Sequence, residues 1–224
     1  MNVDFIFDFA SPNAYLCHKA IQNIEQTHDI KFNYVPCLLG GIMKLTNNQP
    51  PMVSLAEIPN KMKYEFETAF NRFMKEHNIT KFKMNAHFPV NTISLIRGAI
   101  VAQKHGFFET YLEIVLSGLW EQSLKLDTPE ALHDLLTKHN CNADLVIEEI
   151  AKDETKQELI KNTSEAAEKG AFGIPTFFVE EEMFYGKDTL RELKEMASSA
   201  AGVFVSLNYF LEKHCTNVQS LGKI

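Results

Sequence analysis

Long apolar segments and basic clusters are both missing from this sequence of 224 residues. No run of about 18 apolar residues occurs, which is the length that a membrane-spanning helix needs. Asp4 and Asp8 interrupt the apolar stretch near the N-terminus, so we expect neither a signal peptide nor a membrane anchor. The net charge is -7, from 29 acidic and 22 basic residues, and the basic residues form no stripe or block. Nucleic acid is therefore not an expected partner.

Cysteine pairs and metal-binding patterns are also missing. The chain has four widely spaced cysteines, Cys17, Cys37, Cys141 and Cys215, and their spacing fits neither a metal site nor a disulfide framework. A reducing compartment is the simpler inference, so we expect a cytoplasmic protein. The eight histidines show no ligand spacing such as His-Glu-x-x-His, and we predict no catalytic metal.

The beginning of the chain predicts a strand, a tight turn and a helix in immediate succession. The apolar run Phe5-Ile6-Phe7 leads into Asp8-Phe9-Ala10-Ser11-Pro12, and helical periodicity follows. Ser is a preferred N-cap residue, and Pro at the first helical position lacks an amide that would be unpaired there. The helix dipole places partial positive charge beside the Ser11 hydroxyl, where an anion is stabilised. Ser11 is therefore a candidate functional residue, the alternative being that it only caps the helix.

The second half of the chain returns to strands after a long helical region. Gly170 ends a helix, and Ile174-Pro175 leads into the apolar stretch Thr176 to Val179. A proline at this place belongs at the first residue of a strand or in a cis turn, because it has no amide to give to a sheet. An acidic turn at residues 180–182 then precedes a second strand, which ends before Gly186.

Between the two strand-containing ends, periodicity predicts about 110 mainly helical residues. We expect the Gly40-Gly41 pair to break the pattern, and a polar loop to run from Ile42 to about Gln49. Helices are then expected after Pro59, from Ile93 to His105, from Phe107 to Trp120, after Thr128-Pro129, around Leu145 to Ile150 and from about Asp153 to Lys169. Alternating strands and helices at both ends imply a layered α/β core around this helical block.

Four groups of residues, in this order and spacing, carry a family resemblance. They are Asp8 to Pro12 with Tyr15-Leu16, then Gly41 to Lys44 with Asn48 and Pro50-Pro51, then Phe88 to Thr92, and last Gly170 to Pro175. Together they resemble the 2-hydroxychromene-2-carboxylate isomerase family and its relatives, the kappa-class glutathione transferases, which share the DsbA-like thioredoxin fold. Ser11-Pro12-Asn13-Ala14 stands where thioredoxin-like oxidoreductases carry Cys-x-x-Cys, so dithiol chemistry is excluded at this position.

The resemblance implies an α/β protein with a thioredoxin-like fold and an inserted all-helical domain. We expect residues 1–41 and 170–212 to form the thioredoxin-like domain and residues 42–169 to form the helical insertion. Residues 213–224 lack periodicity and are expected to be a frayed tail. The relatives also suggest a homodimer.

Glutathione is the cofactor that the resemblance implies, with Ser11 holding its sulfur. Ser11 is expected to stabilise the thiolate without itself attacking the substrate. A charge-assisted hydrogen bond and the helix dipole would together lower a thiol pKa by about one to three units. The backbone of Ile174, just before Pro175, is expected to pair with the cysteinyl main chain.

The γ-glutamyl end of glutathione is bound in the family by a Gly-x-Asp-Arg run after the last strand. Here this run reads Gly186-Lys187-Asp188-Thr189. Asp188 matches the family, but Thr189 removes a guanidinium that would clamp a carboxylate with two hydrogen bonds. Weaker glutathione binding, or substitution by Lys187, is the expected consequence.

The resemblance also points to residues for the substrate: Lys44, Asn48 and Asn91, with Arg97 on the helix that follows Asn91. Lys44 would meet an anionic carboxylate, and Asn48 would bond a hydroxyl or carbonyl group. Each has an ordinary alternative, because a loop lysine is usually solvated, an asparagine at Asn91 is often a helix N-cap, and Arg97 could form a surface ion pair.

Three functions are compatible with these residues. The first is a glutathione-dependent isomerase that interconverts 2-hydroxychromene-2-carboxylate-like aromatic acids and trans-hydroxybenzylidenepyruvates. The second is a kappa-like glutathione transferase or peroxidase that acts on a small electrophilic substrate. The third is a non-catalytic thioredoxin-like binding module, for which Thr189 is the supporting residue.

Overall fold

A four-stranded mixed sheet forms one layer of the protein in the computed structural model, which describes residues 1–199. The strands are β1 (Asn2–Phe7), β2 (Lys31–Pro36), β3 (Thr176–Val179) and β4 (Glu182–Tyr185), in the order β2-β1-β3-β4. β1 runs parallel to β2 and antiparallel to β3, so the beginning and the end of the described chain meet at the centre of the sheet.

The first crossover follows the pattern that the sequence predicts. Helix α1 (Pro12–Thr27) begins at the predicted proline and connects β1 to β2. Apolar residues alternate along β1, where the side chains of Val3, Phe5 and Phe7 are fully buried. The ring of Phe5 stacks on that of Phe177 in β3, with centroids 4.8 Å apart. Aromatic packing thus stabilises the pairing of two segments that are far apart in sequence.

Helices occupy most of the chain between β2 and β3. They are α2 (Leu39–Leu45), α3 (Pro51–Ser54), α4 (Pro59–Lys63), a π-helical segment (Tyr64–Ala69), α5 (Phe70–Glu76), α6 (Ile93–Lys104), α7 (Phe108–Trp120), α8 (Pro129–Lys138), α9 (Ala143–Ile150) and α10 (Asp153–Glu168). After β4 comes a short 3-10 helix (Lys187–Thr189), and residues 190–199 are helical up to the end of the described chain.

The expected polar loop from Ile42 to Gln49 is wrong, because α2 covers Leu39–Leu45 and includes both glycines of the Gly40-Gly41 pair. A Cβ atom on Gly41 would lie 2.8 Å from Cγ2 of Thr163 in α10, so Gly41 permits the close packing of two helices. A glycine pair that serves helix contact does not break the helix, although glycine has a low helix propensity.

The fold class is confirmed: the protein is an α/β protein with a thioredoxin-like sheet and inserted helices. The exact division at residues 1–41, 42–169 and 170–212 stays a prediction. Residues 200–212, the tail at 213–224 and Cys215 lie outside the described residues. Within residues 1–199 no helix has both the length and the apolar character to cross a membrane, and no cluster of His, Cys, Asp or Glu has a metal-binding arrangement.

Candidate active site

Ser11 lies where the first strand ends and the first helix begins, facing the turn before β3. Its backbone is extended, with φ of -95° and ψ of 116°, and its Oγ accepts a hydrogen bond from the Ala14 amide at 3.2 Å. The same hydroxyl donates a hydrogen bond of 2.9 Å to the carbonyl oxygen of Ile174. The Ile174–Pro175 peptide bond is cis. Ser11 therefore both caps α1 and contacts the segment that the sequence singles out in the second half of the chain.

Ile174 presents main-chain groups to the same space as Ser11. Its carbonyl accepts from Ser11, while its amide donates no hydrogen bond to any residue of the described chain. A buried amide without a partner costs free energy, so it is satisfied when a ligand supplies an acceptor. The arrangement fits the expected pairing of Ile174 with a peptide-like ligand.

Asp8 holds the floor of the site together. Its side chain is fully buried and accepts hydrogen bonds from the Leu39 amide at 2.7 Å, the Thr92 hydroxyl at 2.7 Å and the Ala10 amide at 3.1 Å. These bonds join the end of β1 to the starts of α2 and α6. Desolvation by burial raises the pKa of this carboxyl to about 6, although the hydrogen bonds oppose the shift.

A cavity of about 890 Å³ opens beside Ser11. This volume lies within the usual range for small-molecule sites, about 300–1,000 Å³. Its wall contains aromatic and proline side chains together with a few charged groups. The lining residues used below are Ser11, Asn13, Asn48, Pro50, Lys61, Glu65, Phe66, Phe70, Phe88, Pro89, Asn91, Phe172, Gly173, Ile174, Tyr185, Lys187 and Asp188. The cavity can therefore hold an apolar ring and a polar ligand together.

Lys187 brings a buried positive charge to the cavity wall. Its side chain is 5% exposed, and Nζ donates to Oδ2 of Asp188 at 2.9 Å. The ammonium group also lies 5.8 Å from the ring centroid of Phe70 and 5.7 Å from that of Phe73, within cation–π range. The hydroxyl of Thr189 instead donates to the Gly186 carbonyl at 2.8 Å, so it is used within its own turn.

The four residues expected to contact substrate are divided by the structure. Asn48 and Asn91 line the cavity, but their side chains already have partners. Asn48 Nδ2 donates to the Phe172 carbonyl at 2.7 Å, and Asn91 Oδ1 accepts from the Ile93 amide at 3.1 Å. Lys44 is exposed on α2, and Arg97 lies on α6; neither is among the lining residues of this cavity. Substrate contacts by all four residues stay predictions.

Several lining residues were not expected from the sequence. Asp8 was visible as a single carboxylate inside the apolar run 5–9, and a charge at such a place signals a buried network. Tyr185, Lys61 and Glu65 gave no comparable signal, because their spacing is ordinary for a strand end and an exposed helix face. Asn13 also lines the cavity, and its buried Oδ1 has no hydrogen-bond partner among residues 1–199.

The fold and the site together define a thioredoxin-fold protein that carries a serine, not a cysteine pair, at the N-terminus of its first helix. Residues 2–197 match the family model described as a DSBA-like thioredoxin domain, and the chain belongs to this family.

Known proteins similar to this chain have two kinds of name. Over 200 residues it is 25% identical to a 2-hydroxychromene-2-carboxylate isomerase from Pseudomonas sp. (strain C18), covering 88% of this chain and 91% of the relative. Over 203 residues it is 23% identical to rat (Rattus norvegicus) glutathione S-transferase kappa 1, covering 85% and 88%. A solved structure of 2-hydroxychromene-2-carboxylate isomerase superposes with a TM-score of 0.75 at 24% identity, covering 94% of this chain and 99% of that one.

Proposed function

We propose that this protein is a glutathione-dependent isomerase that interconverts 2-hydroxychromene-2-carboxylate-like aromatic acids and trans-hydroxybenzylidenepyruvates. The observation that carries the proposal is the Ser11 hydroxyl at the start of α1, next to an Ile174 amide that has no partner within the described chain. Glutathione, when bound, would supply the thiolate that adds reversibly to the substrate.

The chain's own groups would favour the anionic form of a thiol. The Ser11 O–H can rotate from the Ile174 carbonyl toward a sulfur atom, while Oγ continues to accept from the Ala14 amide. The dipole of α1, a helix of 16 residues, adds a favourable field at the same place. The Ile174 amide would pair with a peptide carbonyl of the thiol, and Lys187 and Asp188 would face its charged γ-glutamyl end.

The rest of the cavity suits an aromatic acid. Phe66, Phe70, Phe88 and Pro89 form apolar wall that would hold a ring and exclude water from the reacting bond. Lys61 also lines the cavity and could face the substrate carboxylate, whereas Lys44 would have to turn inward from the surface of α2. Asn48 and Asn91 would contact the substrate only by exchanging their present partners.

Titration calorimetry with reduced glutathione tests the thiol site. We expect binding by the wild type, weaker binding by Ser11→Ala and tighter binding by Thr189→Arg. Thr189→Val is the matched control, because it removes the same hydroxyl without adding a guanidinium. Absence of heat for the wild type at millimolar ligand would reject a glutathione site and favour a non-catalytic binding module.

Product analysis separates isomerisation from conjugation. Isomerisation of 2-hydroxychromene-2-carboxylate leaves the concentration of glutathione unchanged, whereas a transferase consumes one thiol per product. A kappa-like transferase or peroxidase is the second candidate, since the rat kappa relative is nearly as similar to this chain as the isomerase. Stoichiometric loss of glutathione with an electrophile, and no isomerisation, would favour this second function.

A cytoplasmic homodimer completes the proposal. Light scattering of the purified protein would measure its mass against the 25.5 kDa of one chain, and a value near twice that mass is expected. Fractionation of cells that produce the untagged protein would test its location.

A further inference from the structure

Tyr185, the last residue of β4, is held against the turn that faces Ser11. It pairs across the sheet with Thr176, directly after the cis proline. Its ring lies over Gly173, where a Cβ atom would be 3.0 Å from Cε2 and 3.1 Å from Oη. The ring of Phe172 packs against it with centroids 4.4 Å apart. Only a glycine at 173 therefore lets the phenol approach the main chain beside Ile174 so closely.

The Tyr185 hydroxyl is a donor that the described chain does not use. It makes no hydrogen bond to any of residues 1–199, and the side chain lines the cavity. Burial and the nearby Glu65 carboxylate raise the pKa of the phenol, so the proton stays on oxygen at neutral pH. A protonated phenol next to a ligand cavity is suited to an oxygen acceptor.

We propose that Tyr185 donates a hydrogen bond to a carboxylate oxygen of the thiol tripeptide, an inference that rests on the proposed function. A tripeptide paired with the Ile174 amide would lie along residues 172–175, where the phenol is held. Thr189 leaves this end of the cavity without the arginine clamp of the family, so a neutral donor from β4 supplies part of the missing carboxylate recognition.

The test compares the wild type with Tyr185→Phe, which removes the hydroxyl and keeps the ring over Gly173. We expect Kd for reduced glutathione to rise about 10- to 150-fold, the range for one hydrogen bond to a charged group. S-methylglutathione should show the same rise, because its carboxylates are intact and only its sulfur is blocked. Tyr64→Phe, on the π-helical segment and outside the cavity lining, is the matched control and should leave Kd unchanged.

The outcomes distinguish this inference from the function on which it rests. If the wild type binds both ligands and Tyr185→Phe binds them equally well, the contact is refuted and the glutathione site stands. If Tyr185→Phe weakens reduced glutathione alone, the hydroxyl acts at the sulfur and the carboxylate contact is refuted. If the wild type binds neither ligand, both proposals fail. An unchanged unfolding midpoint for Tyr185→Phe would exclude a loss of folding as the cause of weaker binding.

Discussion

Protonation of Asp8 should stabilise this protein as the pH falls through 6. The carboxyl is fully buried and its pKa is raised from 3.8 to about 6 by desolvation. Between these two values the folded chain binds a proton that the unfolded chain lacks, so the free energy of unfolding increases with falling pH. At 1.36 kcal/mol per pH unit, the charged form costs about 3 kcal/mol at neutral pH. About 2 kcal/mol of this is recovered between pH 7 and pH 4.5.

Asp8→Asn isolates this contribution. The amide oxygen can still accept from Thr92 and Ala10, but the amide nitrogen would meet the Leu39 N–H that now donates to Oδ2. We expect a cost of about 1–3 kcal/mol for that conflict, the same at every pH. The difference in unfolding free energy between wild type and Asp8→Asn should therefore shift by about 2 kcal/mol in favour of the wild type between pH 7 and pH 4.5.

Urea unfolding of both proteins at several pH values between 4.5 and 7 provides the measurement. Asp29→Asn is the matched control, because its side chain is 99% exposed and should give a difference that does not vary with pH in this range. A difference between wild type and Asp8→Asn that stays constant from pH 7 to pH 4.5 would refute the reasoning, since it would mean that Asp8 titrates alike in the folded and unfolded chains.

Two further predictions concern packing and charge in the helical region. Gly98→Ala should destabilise the protein by about 1–3 kcal/mol, because a Cβ there meets the Tyr111 hydroxyl, which donates to the Leu95 carbonyl. Gly40→Ala, in α2 with open space around it, should instead stabilise by about 0.5–1 kcal/mol, and thermal unfolding of the two variants compares the signs. Glu113 has a pKa lowered to about 2, first by its hydrogen bond with His18 and then by Lys19. Glu113→Gln should cost about 1 kcal/mol above pH 5, given partial solvent screening, and acid unfolding should show this difference vanish as the pH falls from 4.5 toward 2.

The elements that the sequence predicts well are those with local determinants. Ser11 and Pro12 set the start of α1, and Thr128 with Pro129 sets the start of α8. In both helices the cap oxygen accepts from the amide three residues later, so the signal and the interaction lie within one turn. Such starts need no knowledge of the rest of the fold.

Helix α2 could not be predicted because its determinants are distant in sequence. Its first turn is stabilised when the Leu39 amide donates to Asp8, 31 residues earlier. Thr163, 125 residues later, accepts from the Leu38 amide and packs where Gly41 has no side chain. Local propensity at a glycine pair argues for a break, and tertiary contacts decide the outcome. The partners of Asp8 were hidden for the same reason.

The change from arginine to Thr189 limits how strongly the charged end of a tripeptide can be held. Lys187 is already paired with Asp188 and lies against two phenylalanine rings, so a ligand carboxylate gains its ammonium only by displacing that carboxylate. Asp188 is 78% exposed and can turn toward a ligand amine, which would exchange one ion pair for two. Because the ammonium is a point charge, the exchange lacks the bidentate geometry that a guanidinium provides. A donor outside this run, such as the Tyr185 hydroxyl, then has a larger share in recognition than it would beside an arginine.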